Sequence, residues 1–281
     1  MTPDAISSED RTLLDNEATG GLGALEILHP PGTFALTPAS RISIEAIARR
    51  HELFHGTGID WGSGAGCLAI LASRVRTVDA VVGLEISPAN VAIARENAAR
   101  NGAGEKARFL LADSYQPFSA EERATLKEFS GRVDFILANP PSSEGNDGFE
   151  FRRIVLRGAR KYLVDGGIVF LNISYQYGAA RIARLAEDAP GFLHDGVLAS
   201  TGWVPFDLAR PDLLHCLELY AEEESRGGLE YCFPNPEAPT MPDKLLNAQA
   251  ALTHFHRTGR SPLSRWQTHL FRYERKDESE S

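Results

Sequence analysis

The most constraining feature of this 281-residue chain is the regular alternation of strand-like and helix-like segments in its middle part. The strand-like segments are short and apolar, and they lack the every-second-residue polarity of a sheet that has one face in water. Such strands are typical of parallel sheets covered by helices on both faces, and strand–helix repetition favours a doubly wound topology. The sequence therefore predicts an α/β fold with a doubly wound, mostly parallel sheet. The predicted strands are residues 57–61, 80–86, 107–113, 133–141 and 166–174, and the helices between them are residues 67–75, 88–102 and 149–164.

The first part of the chain is less regular. Residues 4–18 are polar and predict a short helix, which glycines end before an extended stretch interrupted by prolines. Ser40 is the expected N-cap of a helix over residues 41–53. We therefore divide the chain into a helical and extended lead-in over residues 1–40 and a main domain over residues 41–281.

The last part of the chain predicts further helices and strands. The expected elements are helices over residues 178–188 and 211–228, a sixth strand within residues 196–208, and two strand candidates over residues 229–233 and 266–274. We expect the second candidate to be the last strand of the sheet. Residues 205–260 then form an insertion or elaboration before that strand.

Charge and composition exclude several classes of protein. Lysine and arginine total 29 against 38 for aspartate and glutamate, and the net charge of −9 is unlike that of a general polyanion binder. The polar start MTPDAISSED is unlike a signal peptide, and no apolar run approaches the ~20 residues that span a bilayer. Cys67, Cys216 and Cys232 lie far apart, which fits a reducing compartment. We expect a cytoplasmic monomer or homodimer without membrane contact or bound metal.

A glycine-rich turn follows the first predicted strand, in the segment Asp60-Trp61-Gly62-Ser63-Gly64-Ala65-Gly66. In an open α/β sheet, ligands bind beyond the carboxyl ends of the strands, where glycines allow close approach to the backbone. The dinucleotide fingerprint G-x-G-x-x-G does not match, because it requires glycine at the position of Cys67. The spacing G-x-G-x-G, with an acid two residues before it, resembles instead the first motif of class I S-adenosylmethionine-dependent methyltransferases. A glycine turn without a ligand is the alternative.

Acidic residues end the next two predicted strands. Glu85 follows Gly66 by 85 − 66 = 19 residues, the spacing of the acid that binds ribose hydroxyls in dinucleotide folds. Asp113 stands where the methyltransferases that the chain resembles have an acid for the adenine amino group. Either carboxylate can also be a simple cap of the following helix. The resemblance implies S-adenosylmethionine as the cofactor, bound by Asp60, Gly62, Ser63, Gly64, Gly66, Glu85, Ile86, Asp113, Ser114 and Asn139.

The tetrad Asn139-Pro140-Pro141-Ser142 ends the fourth predicted strand. It resembles the N-P-P-aromatic motif of methyltransferases that modify a planar NH2 group, in an adenine or guanine base or in a glutamine side chain. Such a nitrogen is a poor nucleophile because its lone pair is delocalised. If the Asn139 oxygen and the Pro140 carbonyl accept its two hydrogens, the lone pair is oriented and the developing charge is stabilised. The resemblance thus implies Asn139 and Pro140 as catalytic residues, whereas a proline loop without function is the alternative.

The fourth position of the tetrad departs from the family, which has an aromatic residue there to stack on the substrate. Because Ser142 cannot stack, either another ring replaces it or the substrate is not a flat base. The candidate rings are Phe149, Phe151, Tyr175 and Tyr177, and core packing explains each of them equally well. The run over residues 142–148 has two glycines and predicts a mobile substrate loop.

A weaker resemblance precedes the glycine turn. Phe34-Ala35-Leu36-Thr37-Pro38 is similar to an F-x-x-x-P-like segment of the glutamine and small-domain RNA methyltransferases, where it packs over the methionine end of the cofactor. We expect Phe34, Pro141 and Ser142 to contact the substrate. The resemblance covers residues 33–175 and implies a Rossmann-like methyltransferase fold, in which the last of seven strands runs antiparallel.

Basic and aromatic residues alternate near the C-terminus. They are Arg257, Arg260, Arg265, Arg272, Arg275 and Lys276, with one acid, Glu274, and the rings of Trp266, Phe271 and Tyr273. The pattern fits a nucleic-acid face, or a final edge strand in which arginine and aromatic residues alternate. His254 and His256 have H-x-H spacing but no nearby cysteine or carboxylate, so they do not predict a metal site.

The sequence as a whole predicts an S-adenosylmethionine-dependent N-methyltransferase that acts on a planar NH2 group. The substrate is an RNA base or a protein glutamine, and we place structured RNA slightly ahead because basic residues and rings cluster at residues 257–276. A small-molecule methyltransferase and a catalytically inactive cofactor-binding module are the alternatives.

Overall fold

A computed structural model of the chain describes residues 10–142, 147–238 and 244–275, together with the backbone of the two-residue strand Ile6–Ser7. A single mixed sheet forms its centre. Its main strands are β1 (Gly56–Trp61), β2 (Val78–Glu85), β3 (Ala107–Asp113), β4 (Val133–Ala138), β5 (Leu163–Asn172), β6 (Phe192–Ser200) and β7 (Gln267–Tyr273). The short strand Gln116–Pro117 extends the β3 edge.

The strand order is β3-β2-β1-β4-β5-β7-β6, so the order reverses at β1. Neighbouring strands from β3 to β5 pair in parallel, whereas β7 is antiparallel to both β5 and β6. The predicted seven-stranded, doubly wound sheet with an antiparallel last strand is confirmed. One expectation is wrong, since β7 lies between two strands and is not an edge strand.

Helices cover both faces of the sheet. They are α1 (Pro38–Arg49), α2 (Cys67–Ser73), α3 (Pro88–Arg100), α4 (Ala120–Lys127), α5 (Glu150–Ala159), α6 (Gly178–Asp188), α7 (Pro211–Ser225) and α8 (Ala248–Thr258), with short 3-10 turns at His51–Leu53 and Tyr175–Tyr177. In β4, Phe135 and Leu137 join the core under α1 to α3, while Ile136 and Ala138 join the core under α4 to α8. Because both faces are buried, the strands show no alternation of polarity.

The predicted helix over residues 4–18 is wrong. Arg11–Leu14 and Leu25–Leu28 form an antiparallel pair, and Ile6–Ser7 adds a third strand. Thr12 and Leu14 are buried and their neighbours Arg11 and Leu13 are exposed, which is the period of a strand. The pattern was hidden in sequence because a threonine takes one of the two buried positions.

Helix α1 begins earlier than predicted. Thr37 is its N-cap, and its hydroxyl accepts a hydrogen bond from the Ser40 amide at 3.2 Å. The Ser40 hydroxyl in turn accepts from the Thr37 amide at 3.3 Å, so Ser40 is the third helical residue of a capping box and not the cap. Pro38 at the first helical position fits this start.

Other boundaries also differ from prediction. Helix α4 was not predicted, and the sixth strand starts at Phe192, before the predicted residues 196–208. Within residues 229–233, only Phe233 pairs, in the short ladder of Phe233–Pro234 with Leu245–Leu246. A second short ladder joins Val204–Pro205 to Leu263–Ser264. No helix in the described part of the chain is long and apolar enough to cross a membrane.

Candidate active site

A cavity of about 650 Å³ opens at the carboxyl ends of β1 to β5 and reaches the inner side of α7. Its strand-end half is lined by predicted residues from Phe34 to Ser114, and its α7 half lies between Ser142 and Tyr220. Asn139 lines the cavity between them. The cavity brings together nearly every residue predicted for the site: Phe34, Asp60, Gly62, Ser63, Gly64, Glu85, Ile86, Asp113, Ser114, Asn139, Pro140, Pro141 and Ser142.

Gly66 is the exception and lies behind the wall as the N-cap of α2, with φ 89°. A Cβ atom there would stand 2.8 Å from the Phe109 ring, so the position requires glycine for packing as well as for backbone conformation. Gly64, with φ 53°, faces the cavity, and a Cβ atom there would stand 2.9 Å from the ring of Phe34. Phe34 therefore packs on the glycine turn at the cavity wall.

The Glu85 carboxylate holds the glycine turn in place. Its Oε2 accepts a hydrogen bond from the Gly64 amide at 2.8 Å, and its Oε1 accepts from the Ser87 amide at 2.8 Å. The side chain lines the cavity, and Ile86 beside it is 59% exposed. Glu85 is thus the predicted acid at the end of β2, and its hydrogen bond with Gly64 also fixes the turn after β1.

Asp60 is almost completely buried below the glycine turn. Its Oδ2 accepts a hydrogen bond from the Ala69 amide of α2 at 3.0 Å. Burial is the main cause that raises the pKa of Asp60 to about 7; the hydrogen bond from Ala69 opposes the rise and the nearby Glu85 charge adds to it. The carboxyl group thus links β1 to α2 at the base of the cavity.

Asp113 and Ser114 form the rim of the strand-end half. Asp113 is exposed, as a carboxylate must be to reach a ligand from this rim. Ser114 has φ 54°, which is unusual for a residue other than glycine, and its hydroxyl accepts a hydrogen bond from the Trp61 indole at 2.9 Å. Trp61 thereby fixes the turn that carries Asp113.

Asn139 follows β4 and is held by two neighbours. Its Oδ1 accepts a hydrogen bond from the side-chain NH2 of Asn172 at 3.0 Å, and its own NH2 donates to the Ser40 hydroxyl at 3.4 Å. One lone pair of the Asn139 oxygen remains, because an amide oxygen has two. The amide therefore lines the cavity with a fixed orientation.

Sequence reasoning missed Arg152, which is buried under the proline loop. Its guanidinium donates to the carbonyls of Pro141 at 3.2 Å, Gly148 at 3.1 Å and Asn172 at 3.1 Å, with a longer contact of 3.5 Å to Pro140. No carboxylate of the described residues pairs with Arg152; besides these carbonyls, the rings of Phe149 and Tyr177 face its guanidinium, with centroids 5.3 Å and 5.1 Å away. A helical arginine gives no sequence signal for such a role, because its partners are backbone groups that lie 4 to 20 residues away.

Ser142 belongs to a cluster of three hydroxyls, which we call the hydroxyl cluster. Its Oγ lies 3.0 Å from the Tyr177 hydroxyl and 3.4 Å from that of Tyr220, and the two tyrosine hydroxyls are 3.0 Å apart. Burial is the main cause that raises the pKa of Tyr220 well above its usual range, so its hydroxyl stays protonated. The cluster offers hydrogen-bonding groups where the resembling family offers a ring.

The four candidate rings divide into two pairs. Phe151 and Tyr177 line the cavity, whereas Phe149 is fully buried against Tyr177, and Tyr175 packs on Trp203. The predicted mobile loop over residues 142–148 falls partly on residues 143–146, outside the described residues.

Two of the three rings in the basic stretch near the C-terminus are buried in the core. Phe271 and Tyr273 are buried in the core, and Arg265 stacks on Trp203 with the guanidinium 3.6 Å from the ring centroid. Arg272 donates to Asp195 at 3.1 Å. A nucleic-acid face at residues 257–276 therefore cannot use the rings of Phe271 and Tyr273; Lys276 lies outside the described residues. Trp266 does line the cavity.

His254 and His256 lie on α8, where His254 is buried. In the described ranges, no group of three His, Cys, Asp or Glu side chains is arranged to hold a metal ion.

Comparison with known proteins shows which family the chain is similar to. The model of the family described as "methyltransferase small domain" matches residues 24–188, which is more than half of the chain. Release factor glutamine methyltransferases of Cereibacter sphaeroides and Thermodesulfovibrio yellowstonii are 32% and 28% identical over 155 and 157 residues, or 47% and 50% of this chain. These matches cover 51% and 56% of the relatives, so the chain spans about half the length of the curated relatives it matches.

One solved structure and one further relative are also similar to this chain. A solved T. thermophilus 16S rRNA N2 methyltransferase, in complex with AdoMet and guanosine, is 24% identical with a TM-score of 0.51, covering 68% of this chain and 48% of that one. A 4-amino-L-phenylalanine/4-methylamino-L-phenylalanine methyltransferase of Streptomyces pristinaespiralis is 29% identical over 182 residues, 55% of this chain and 57% of that protein. The sheet order, the glycine turn, the Asn-Pro-Pro segment and the family match together lead to one conclusion: this chain belongs to the methyltransferase small domain family.

Proposed function

We propose that this chain transfers a methyl group from S-adenosylmethionine to a planar NH2 group, and that the acceptor is the side-chain amide of a protein glutamine. The observation that carries the proposal is the position of the Asn139 amide in the cavity wall, between the half lined by Glu85 and Asp113 and the half lined by the hydroxyl cluster. A methyl donor and an acceptor in the two halves meet beside its oxygen.

The strand-end half has the groups that an adenosine and a sulfonium require. Glu85 and Asp113 supply carboxylate oxygens for hydroxyl and amino hydrogens, and Ile86 and Phe34, which are 59% and 44% exposed, supply apolar surface. Ser63 also lines the cavity, as part of the glycine turn. When bound, the cofactor supplies an electrophilic methyl group.

The chain's own residues then act on the acceptor nitrogen. The free lone pair of Asn139 Oδ1 and the Pro140 carbonyl accept the two N–H groups, which turns the nitrogen lone pair out of conjugation and toward the methyl. The same oxygens stabilise the positive charge that develops on nitrogen. Arg152 holds the proline carbonyls in register through its buried guanidinium. No deprotonation has to precede attack, and the nitrogen releases its extra proton to solvent after methyl transfer.

Three observations favour a glutamine over an RNA base. Ser142 provides no stacking ring at the position next to the acceptor, and the basic C-terminal stretch keeps Phe271 and Tyr273 in the core. The hydroxyl cluster suits a carboxamide, which has no large π-face but needs hydrogen-bonding partners. The release factor glutamine methyltransferases among the relatives agree with this order, which reverses the one expected from sequence.

The test is methyl transfer from tritiated S-adenosylmethionine to separated protein, RNA, DNA and small-molecule fractions. We expect label in the protein fraction, stable to nuclease and located on glutamine by mass spectrometry. Asn139→Ala is expected to lose about 10²-fold or more in kcat and to keep its affinity for S-adenosylhomocysteine, because the lost interaction acts in the transition state. Nuclease-sensitive label would overturn the choice of acceptor, and normal turnover by Asn139→Ala would overturn the role of that residue.

A second candidate is a free aromatic amine, and one observation favours it. Phe206, Leu213, Cys216 and Tyr220 wall the far end of the cavity, so the α7 half can enclose a small acceptor. The relative that methylates 4-amino-L-phenylalanine shows that this chemistry occurs among similar chains. Label confined to the small-molecule fraction would establish this candidate. Retained S-adenosylhomocysteine binding with no label in any fraction would indicate an inactive module.

A further inference from the structure

We propose that Asn172 and Thr268 are positioning residues that fix the rotamer of the Asn139 amide, so that its oxygen and not its NH2 faces the methyl acceptor. The inference rests on the proposed function of Asn139 and extends it to two residues on other strands. Neither belongs to a motif that the sequence displays.

The sheet register places the three residues side by side. Ala138 of β4 pairs with Leu171 of β5, so the next residues, Asn139 and Asn172, are neighbours at the ends of these parallel strands. Thr268 of β7 is the direct cross-strand partner of Asn172. The three side chains therefore form a row along one edge of the sheet, from the cavity inward.

A backbone atom defines the orientation of the row. The Asn172 side-chain nitrogen lies 2.8 Å from the carbonyl oxygen of Ala39 in α1, and because a carbonyl can only accept, this end of the amide must be the NH2. The opposite end is then the oxygen, which accepts from the Thr268 hydroxyl at 2.7 Å. The positions of the side-chain nitrogen and oxygen of Asn172 are thus fixed by their partners, and a flipped Asn172 amide would not fit them.

The orientation passes from Asn172 to Asn139. The second hydrogen of the Asn172 NH2 points at Asn139 from 3.0 Å, so the Asn139 atom at that position must be an acceptor, its Oδ1. If the Asn139 amide were flipped, its NH2 would face the NH2 of Asn172 and the hydrogen bond would be lost. Asn172 and Thr268 are buried, at 5% and 0% exposure, and Asn172 also lines the cavity. Without Asn172, the soft terminal torsion of Asn139 allows both rotamers, and the flipped one presents an NH2 to the acceptor NH2.

The experiment replaces hydrogen-bond donors without changing shape. Asn172→Asp keeps the acceptor for Thr268 but has no NH2, so the Asn139 NH2 is expected to turn toward the new carboxylate. We expect kcat to fall by about 10-fold to 100-fold, in line with the cost of misplacing a catalytic group, with the KM for S-adenosylmethionine and the Kd for S-adenosylhomocysteine within about twofold of wild type. Thr268→Val is expected to cause a smaller loss of kcat, and Thr268→Ser, which keeps the hydroxyl, is the matched control that retains it.

A readout without turnover separates this inference from the proposed function. In 15N-labelled protein, the side-chain NH2 resonances of Asn139 are expected to shift in Asn172→Asp and to stay in place in Thr268→Ser. If wild type transfers no methyl group but the Asn139 resonances shift in Asn172→Asp, the proposed function fails and the positioning role of Asn172 stands. If wild type is active and folded Asn172→Asp keeps kcat within about twofold, the positioning role is overturned. Unchanged Asn139 resonances in Asn172→Asp would also overturn it.

Discussion

At the scale of single residues, the carboxylates of the cavity differ in burial. Glu85 and Asp113 lie at its wall and rim, whereas Asp60 is almost completely buried at its base and has a raised pKa. The sequence places all three acids at the ends of successive predicted strands. Because the carboxyl ends of parallel strands lie at one edge of the sheet, the three acids were expected to lie close together. The sequence could not separate their roles, since burial depends on what packs above each residue.

Glu85 should control cofactor affinity. Replacing Glu85 by Ala removes the carboxylate that faces the cavity and also frees the Gly64 amide, so we expect S-adenosylhomocysteine binding to weaken by about 10²-fold, the effect of losing charge-assisted hydrogen bonds worth a few kcal/mol. Isothermal titration measures the loss. Glu96→Ala, on the exposed face of α3, is the matched control and should bind normally. Unchanged affinity in Glu85→Ala would contradict cofactor binding at this end of β2.

Asp60 should make stability depend on pH. Its pKa of about 7 in the fold lies above the ordinary value of 3.8, so the folded state holds a proton that the unfolded state releases. The free energy of unfolding therefore falls as pH rises from about 4 to about 7 and is level above that range. Asp60→Asn mimics the protonated form, and we expect its advantage over wild type to be roughly 2 kcal/mol greater at about pH 8 than at about pH 5. Urea denaturation at both values measures it, and an equal difference at both would refute the shift.

At the scale of elements, strong local signals predicted the central sheet well. The third strand was placed at its observed bounds, residues 107–113, and α3 begins at residue 88 as predicted, with Pro88 at the first helical position. The strand Arg11–Leu14 was missed because Thr12 is polar yet buried. Asn172 and Arg152 were missed for another reason: their partners are fixed by sheet register and backbone carbonyls, which no local spacing reveals.

The attachment of α7 to α6 should depend on one buried ion pair. Both carboxylate oxygens of Glu223 accept from the Arg181 guanidinium at 3.0 Å, and the Tyr231 hydroxyl donates to the same carboxylate at 2.5 Å. Glu223→Gln leaves the buried Arg181 charge without its partner, and we expect it to cost about 3 kcal/mol of unfolding free energy. Glu222→Gln, which breaks an exposed pair with Arg226 on the same helix, should cost less than about 0.5 kcal/mol. Similar losses in both variants would contradict the assigned role.

At the scale of the whole molecule, charge bears on the choice of acceptor. The chain carries a net charge of −9, and Arg265 and Arg272 are engaged with Trp203 and Asp195. We therefore expect weak binding to a fluorescent structured RNA, with an affinity that changes less than about 10-fold between about 50 and about 200 mM salt, whereas a protein with six or more phosphate contacts would lose about 10³-fold. Fluorescence anisotropy measures the slope, and a steep decline would revive an RNA acceptor.

The place of β7 has a consequence for the order of events during synthesis. Asn139 and Asn172 leave the ribosome well before Thr268, which lies on the strand that must slot between β5 and β6. Until residues 267–273 emerge, one edge of β5 is open and β6 lacks its ladder partner in the described sheet. Asn172 also lacks the hydrogen bond from the Thr268 hydroxyl. Long-range insertion of this kind is slow compared with local strand–helix pairing. If Asn172 and Thr268 act as we propose, the orientation of the Asn139 amide is therefore set only once the last strand is in place.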